Sequence, residues 1–265
     1  MTRKIGESAW IDVSSHDLAA VKNFYTELFG WTFEQLGEEF GSYNLIRNGD
    51  ALVGGAMDVS GMTCPMGQSI PSVWAVYLAV DDVDARLAKA TEHGATVVMP
   101  AEDIGDSGRM AMIVDPTGSP ISMWQPRDLD GYDFTGQPGS PVWFELMTHK
   151  FDDAVSFYGS VFDAELVPMT EPMEDSSFRY VTNGGEDKAS WGLGDATGVM
   201  PEDAGGWRLY LGVESCDEAV EKIGKLGGRL LDGPVDSPFG RIATVADPDG
   251  ASFQICAMSE AVPEG

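Results

Sequence analysis

Apolar residues recur at helical spacing over Asp17–Leu28, where Leu18, Val21, Phe24, Tyr25 and Leu28 share one face. Ser14 or Ser15 is placed to cap this helix and Gly30 to end it. A strand is predicted before it, at Ser8–Val13, and three short strands after it, at Thr32–Leu36, Tyr43–Arg47 and Leu52–Met57. Asn48-Gly49-Asp50 joins the last two as the tight turn of a hairpin. Beyond a connector at Met62–Ile70, rich in Gly, Pro and Met, the order recurs. Val73–Val80 is a strand apolar on both faces, Asp84–His93 a helix ended by Gly94, and Thr96–Met99, Arg109–Asp115 and Pro120–Gln125 are strands. Each βαβββ module has one helix, which covers one face of its strands. The other face must curl or pack on a second module to bury its side chains.

The pattern also repeats at longer range. Trp10, Phe24-Tyr25, Trp74, Val80, Asp84 and Gly94 return 133 positions later as Trp143, Phe157-Tyr158, Trp207, Val213, Asp217 and Gly227. After one deletion the offset is 132, linking Gly108-Arg109 to Gly240-Arg241 and Asp115-Pro-Thr-Gly118 to Asp247-Pro-Asp-Gly250. The chain is therefore two copies of one unit. The predicted class is α+β, with four βαβββ modules at 7–60, 72–126, 140–195 and 205–258. These form two tandem domains, 7–126 and 140–258, with curved mixed sheets, joined by a Gly- and Pro-containing linker at 127–139. The tail after Met258 reads as frayed. Two modules side by side make a concave interior suited to a small molecule.

Charge narrows the partners. With 43 acidic and 16 basic residues the net charge of the 265-residue chain is -27, which repels nucleic acid and anionic lipid. No run of about 18 apolar residues is present, and the N-terminus lacks the apolar stretch of a signal peptide. Three cysteines (Cys64, Cys216 and Cys256) in no metal-binding spacing argue against disulfides. These features predict a cytoplasmic monomer or homodimer with a small-molecule ligand, no nucleic-acid partner and no membrane association.

The strand and Asp17–Trp31 segment, the Val80-Asp-Asp-Val-Asp84 opening of the second helix and Asp115-Pro-Thr-Gly118 all recur in copy two. In this order the chain resembles the vicinal oxygen chelate superfamily of glyoxalase I, extradiol dioxygenases and bleomycin-resistance proteins. Trp10-Ile-Asp12, Trp143-Phe-Glu145 and Asp103-Ile-Gly-Asp-Ser-Gly-Arg-Met110 make it similar to actinobacterial two-domain glyoxalase-like proteins.

The resemblance implies a metal held from the first and last strands of paired modules. The corresponding positions here are Trp10, a site around Gly55, Ala75 and Ser122 in copy one, and Trp143, a site around Gly192, Arg208 and Gln254 in copy two. Of these only Gln254 is a plausible ligand, because an indole offers no lone pair and a guanidinium repels a cation. His16, His93 and His149 read as turn or cap residues. The expectation is no metal and no cofactor.

Asp12 and Glu145 share the strand face of Trp10 and Trp143. They either make structural hydrogen bonds or face a ligand, with Arg208 and Gln254 as partners for Glu145, and Arg109 or Arg241 for Asp12. The candidate catalytic residues are Glu145 as general base, Arg208 as an oxyanion or carboxylate clamp and Gln254 as orienting group. The candidate ligand-binding residues are Trp10, Asp12, Trp143, Ser122, Trp74 and Trp207, although core packing also accounts for the repeated tryptophans. Arg109 and Arg241 bind an anion or pair with nearby acids. The expected function is a glyoxalase- or bleomycin-resistance-like protein binding a small organic molecule, with lyase- or hydroxylase-type activity independent of the usual metal site. The alternatives are a non-catalytic sequestering protein and a metal-dependent lactoylglutathione lyase-type enzyme with shifted ligands.

Overall fold

The computed structural model describes residues 3–37, 40–41, 43–64, 67, 69–169, 178–185 and 188–260. Module one comprises β1 (Ser8–Ser15), α1 (Leu18–Phe29), β2 (Thr32–Gln35), β3 (Asn44–Asn48) and β4 (Ala51–Asp58). Module two comprises β5 (Val73–Ala79), α2 (Val83–Glu92), β6 (Thr96–Ile104), β7 (Gly108–Val114) and β8 (Pro120–Pro126). Module three comprises β9 (Pro141–Thr148), α3 (Phe151–Val161), β10 (Leu166–Pro168), β11 (Tyr180–Asn183) and β12 (Gly192–Asp195). Module four comprises β13 (Gly206–Gly212), α4 (Cys216–Lys225), β14 (Arg229–Ser237), β15 (Gly240–Ala246) and β16 (Ser252–Ala257). The α+β class and the four βαβββ modules are as the sequence predicts.

Two mixed eight-stranded sheets result, with hydrogen-bonded orders β2-β3-β4-β1-β5-β8-β7-β6 and β10-β11-β12-β9-β13-β16-β15-β14. Within each module the first and last strands run parallel, as β1 with β4 and β9 with β12, and the remaining pairs are antiparallel. By compactness the chain divides differently. One unit takes Met1–Trp10, Ala75–Gly131 and Phe144–Arg208. The other takes Ile11–Trp74, Tyr132–Trp143 and Leu209–Gly265. The first thus gathers most of modules two and three, the second most of modules one and four.

The repeated motifs explain this grouping. In the second unit Tyr25 of α1 is fully buried and donates its hydroxyl to Asp247 Oδ2 at 3.2 Å. The other oxygen of Asp247 accepts the backbone N–H groups of Asp249, Gly250 and Ala251 at 2.8–3.0 Å, closing the Asp-Pro-Asp-Gly turn. In the first unit Tyr158 of α3 donates to Asp115 Oδ2 at 2.8 Å, and Asp115 Oδ1 closes the Asp-Pro-Thr-Gly turn through Thr117 and Ser119. The Phe-Tyr and Asp-Pro-x-Gly motifs recur together because each tyrosine binds the aspartate of the module it packs on. Burial raises the pKa of both tyrosines and of Asp247.

Local ends differ in detail from the sequence reading. The α1 cap is Asp17, which accepts from Ala20 N at 3.0 Å, because Ser15 Oγ is occupied by Asp17 N and Asp249. Gly30 ends the helix in the left-handed region at φ 75°, and Gly49 turns the hairpin at φ 61°. The segment after Glu260 lies outside the described residues.

Candidate functional site

Copy two builds its site within the first compact unit. In β13, Trp207 turns toward α3: its indole N–H donates to Tyr158 Oη at 2.9 Å, and its ring meets Tyr158 edge-on. Alternation along the strand sends the next residue, Arg208, to the opposite face. There the Arg208 guanidinium lies 3.8 Å from the Glu145 carboxylate of β9, and its other nitrogen is 3.0 Å from Met200 Sδ. The Glu145 and Arg208 side chains are 14% and 26% exposed, so each keeps some contact with solvent.

A third group completes the cluster. Tyr180, from β11, donates its hydroxyl to Glu145 Oε1 at 3.0 Å. Its path depends on Gly192, which β12 places directly opposite Glu145 in parallel register. A Cβ on Gly192 would collide with Oη, Cζ and Cε1 of Tyr180. The glycine thus provides the space through which the phenol crosses to the carboxylate. Phe178 stacks on Tyr180 at 6.0 Å and fixes its plane. Carboxylate, phenol and guanidinium side by side form an acid–base cluster with a cationic edge.

The second compact unit holds the copy-one equivalent. Asp12 lies opposite Gly55, and Tyr43 donates to Asp12 Oδ2 at 3.2 Å. A Cβ on Gly55 would strike the Tyr43 phenol, as at Gly192. The tyrosines escape the sequence repeat because Tyr43 follows its acid by 31 residues and Tyr180 by 35. The Tyr-to-Gly spacing of twelve in both copies (43 to 55, 180 to 192) was the signal available.

The remaining sequence candidates lie as follows. Trp10 is buried and Trp143 half-buried. Trp74 is buried in the second unit and donates its N–H to Tyr25 Oη at 2.8 Å, as Trp207 does to Tyr158; both indoles are thus bonded to core tyrosines. Ser122 and Gln254 occupy matching positions, opposite Tyr77 and Tyr210. Both are buried, and Ser122 Oγ and Gln254 Oε1 make no hydrogen bond among the described residues. Arg109 binds Asp84 and Asp103, and Arg241 binds Asp217 and Asp236. The pairing expectation therefore holds for these arginines, and their suggested pairing with Asp12 is corrected: Tyr43 is there instead. His16 and His149 contact the carbonyls of Ile70 and Pro201, and His93 ends α2. Among the described residues no three His, Cys, Asp or Glu side chains converge, and no helix is long and apolar enough to cross a membrane.

Comparison with known proteins agrees with this architecture. The family model described as Glyoxalase/Bleomycin resistance protein/Dioxygenase superfamily matches residues 8–123 and 140–255. A Mycobacterium bovis protein named "Putative glyoxylase CFP32" is 34% identical over 254 residues, covering 94% of each chain. "Anthracycline biosynthesis protein DauV" of Streptomyces sp. (strain C5) is 32% identical over 272 residues, covering 97% of this chain and 95% of its own. Among solved structures, the 2,3-dioxygenase LapB from Pseudomonas sp. KL28 superposes with a TM-score of 0.63 at 14% identity, over 96% of this chain and 93% of its own. The Mn(II)-bound glyoxalase from Novosphingobium aromaticivorans gives 0.61 at 15%, over 97% and 84%. These two establish likeness of fold alone.

Proposed function

The chain belongs to the Glyoxalase/Bleomycin resistance protein/Dioxygenase superfamily, and from that premise we propose that its second copy binds a small carbonyl- or hydroxyl-bearing organic molecule beside Glu145 and performs proton-transfer chemistry on it without a metal. The observation that carries this reading is the convergence of Glu145, Tyr180 and Arg208 at 3.0 and 3.8 Å on one reachable face of β9 and β13. The names of the relatives fit the ligand class, since anthracyclines are hydroxylated aromatic ketones and glyoxylase names a carbonyl substrate.

The metal that the superfamily implies does not suit these residues. Among the described residues no three metal-ligating side chains converge here, and beside Glu145 stand a phenol proton and a guanidinium. A divalent ion placed there faces the fixed positive charge of Arg208, and Gly192 offers no donor in the place the phenol fills. No step is therefore assigned to a metal.

The chemistry follows from the groups present. Glu145 accepts the proton from a carbon next to a carbonyl, and the C–H electron pair moves into an enolate. Arg208 holds the negative charge that develops on the oxygen. Tyr180 orients the carboxylate. Return of the proton to the neighbouring carbon, with the hydroxyl proton passing from one oxygen to the other, completes an isomerisation that is neutral in electrons.

Two probes test the proposal. In D2O, the hemithioacetal of methylglyoxal and glutathione should lose its carbon-bound proton signal by NMR with the wild-type chain. Glu145→Gln should slow that exchange at least 100-fold. Retention of exchange in the variant would refute the assignment of the base. Binding of 1,2-dihydroxyanthraquinone, read by its visible absorption, tests the ligand class. Binding to wild type with no exchange in any probe would instead favour a sequestering protein.

A further inference from the structure

We propose that the turn end of the β14–β15 hairpin, in the second compact unit, is a docking surface for an extended segment of another protein that carries an arginine and, two residues later, an apolar side chain. Three large apolar side chains lie in solvent there: Val235 of β14, Phe239 of the turn and Met258 just past β16, at 54%, 56% and 48% exposure. Strand register brings them to one end of the sheet, because Asp236 pairs with Arg241 and Arg241 with Ala257. In copy one the matching positions hold Glu102, Ser107 and Pro126. On a chain of net charge -27, an apolar group exposed where the repeat is polar marks a surface that a partner covers.

Copy one shows how such a turn is covered. After β8 the chain passes back over the β6–β7 turn. Arg127 N and Leu129 N donate to the Ser107 carbonyl at 3.0 and 3.1 Å, and Asp128 N donates to the Asp106 carbonyl at 3.1 Å. The Arg127 guanidinium donates to Asp103 Oδ1 at 2.7 Å and to the Gly105 carbonyl at 3.3 Å. Asp103 is thus held by two arginines, Arg109 and Arg127.

Copy two keeps the receiving groups without that covering segment. Asp236 is the counterpart of Asp103, and among the described residues Arg241 is its one cationic partner. Ser259 stands at the position of Arg127, 132 residues on. The chain there forms a short 3-10 turn at Met258–Glu260, and the Ser259 hydroxyl donates to the Glu214 carbonyl at 3.4 Å. The carbonyl of Phe239, the counterpart of Ser107, is met by Cys256 Sγ at 3.7 Å, a long contact that leaves a lone pair for a further donor.

The partner chemistry follows from these groups. An arginine placed as Arg127 is placed in copy one reaches Asp236, and the main-chain N–H groups beside it reach the Phe239 carbonyl. An apolar side chain two residues on, at the position of Leu129, lies by Phe239. Main-chain bonds that hold an extended segment, with side-chain contacts that select it, are a common mode of peptide recognition. The acidic surface of the chain draws a cationic partner to it. This surface does not depend on chemistry at Glu145.

The test titrates the full chain into a fluorescein-labelled peptide, Gln-Pro-Arg-Ser-Leu-Ser-Gly, and reads anisotropy. The peptide is the 125–131 sequence of copy one with serine in place of its two aspartates. Saturable binding of one equivalent is expected, with a Kd below about 1 mM. Val235→Glu and Phe239→Ser, which install the copy-one residues, should each weaken it about tenfold or more, as should Asp236→Asn. A peptide with glutamate in place of the arginine should bind about tenfold more weakly or worse. Thermal melting confirms that each variant is folded, and the Val235 and Phe239 variants are read alone where Asp236→Asn melts early. No saturable binding, binding that the variants leave unchanged, or equal binding of the glutamate peptide would overturn the inference. Sedimentation velocity of the chain alone adds one more outcome: a dimer abolished by Phe239→Ser would make a second copy the occupant and would also overturn it.

Discussion

Gly192→Ala is the sharpest probe of how the copy-two cluster is held. Gly192 is not among the positive-φ glycines, so alanine suits its backbone and gains about 0.5–1 kcal/mol from a less flexible unfolded chain. Against this, the added methyl overlaps the hydroxyl oxygen and two ring carbons of Tyr180. Overpacking of this kind costs roughly 1–3 kcal/mol. If the ring swings aside, the Tyr180–Glu145 hydrogen bond of 3.0 Å is lost at about 1.5–3 kcal/mol. A net loss of about 2–4 kcal/mol lowers the melting temperature of a chain this size by roughly 5–12 °C. The assay is a double-mutant cycle by thermal melting with Tyr180→Ala. With the phenol gone the collision disappears, and Gly192→Ala should become neutral or stabilising by about 0.5–1 kcal/mol. An equal loss in both backgrounds would show that the glycine does not exist to admit the tyrosine.

Other consequences follow from the same geometry. Tyr158→Phe removes the donor to buried Asp115 and the acceptor for Trp207, and should cost about 2–4 kcal/mol by thermal or urea unfolding; a loss under about 0.5 kcal/mol would contradict the linking role given to the repeated motifs. Arg86, buried, binds Asp81, Asp163 and the Val161 carbonyl, so Arg86→Leu should cost roughly 2–4 kcal/mol at pH 7. Its hydrogen bonds hold the Asp81 and Asp163 carboxyls below their usual range. That stabilisation is complete above the ordinary carboxylate pKa of about 3.9 and fades as pH falls through the lowered values. The melting difference between wild type and Arg86→Leu should therefore narrow below about pH 4, and a constant difference down to pH 2.5 would refute this. Arg208→Lys keeps the charge but not the planar fork, and should slow proton exchange on the hemithioacetal about tenfold or more; an unchanged rate would remove Arg208 from the site.

The fold was readable because its signals are periodic. Helical spacing in α1 and α2, the Asn48-Gly49-Asp50 turn and the 133-residue repeat each mark an element, and the structure places all of them. The candidate site was legible only in part. Glu145 and Arg208 could be paired because both lie in regular strands, where alternation fixes the face. Tyr180 and Tyr43 could not, because each comes from a hairpin whose length differs between copies, and the reason for the opposing glycines is steric, visible once a ring lies over them. Trp74 and Trp207 repeat as faithfully as any site residue would, yet their indoles serve the buried tyrosines. Repetition marks what both copies need, and a core hydrogen bond is as good a need as a ligand. The histidines and Arg109 and Arg241 follow simple chemistry: exposed turns and a surplus of acids supply partners nearby.

In the proposed reading a carboxylate, a phenol and a guanidinium handle the ligand without a metal. This is tested most directly by measuring the affinity of chelator-treated protein for 1,2-dihydroxyanthraquinone, and proton exchange on the hemithioacetal, before and after one equivalent of Mn(II), Ni(II) or Zn(II). Neither should change by more than a factor of two, and both should still depend on Glu145. A gain of tenfold or more with any of these ions, lost again on chelation, would contradict it.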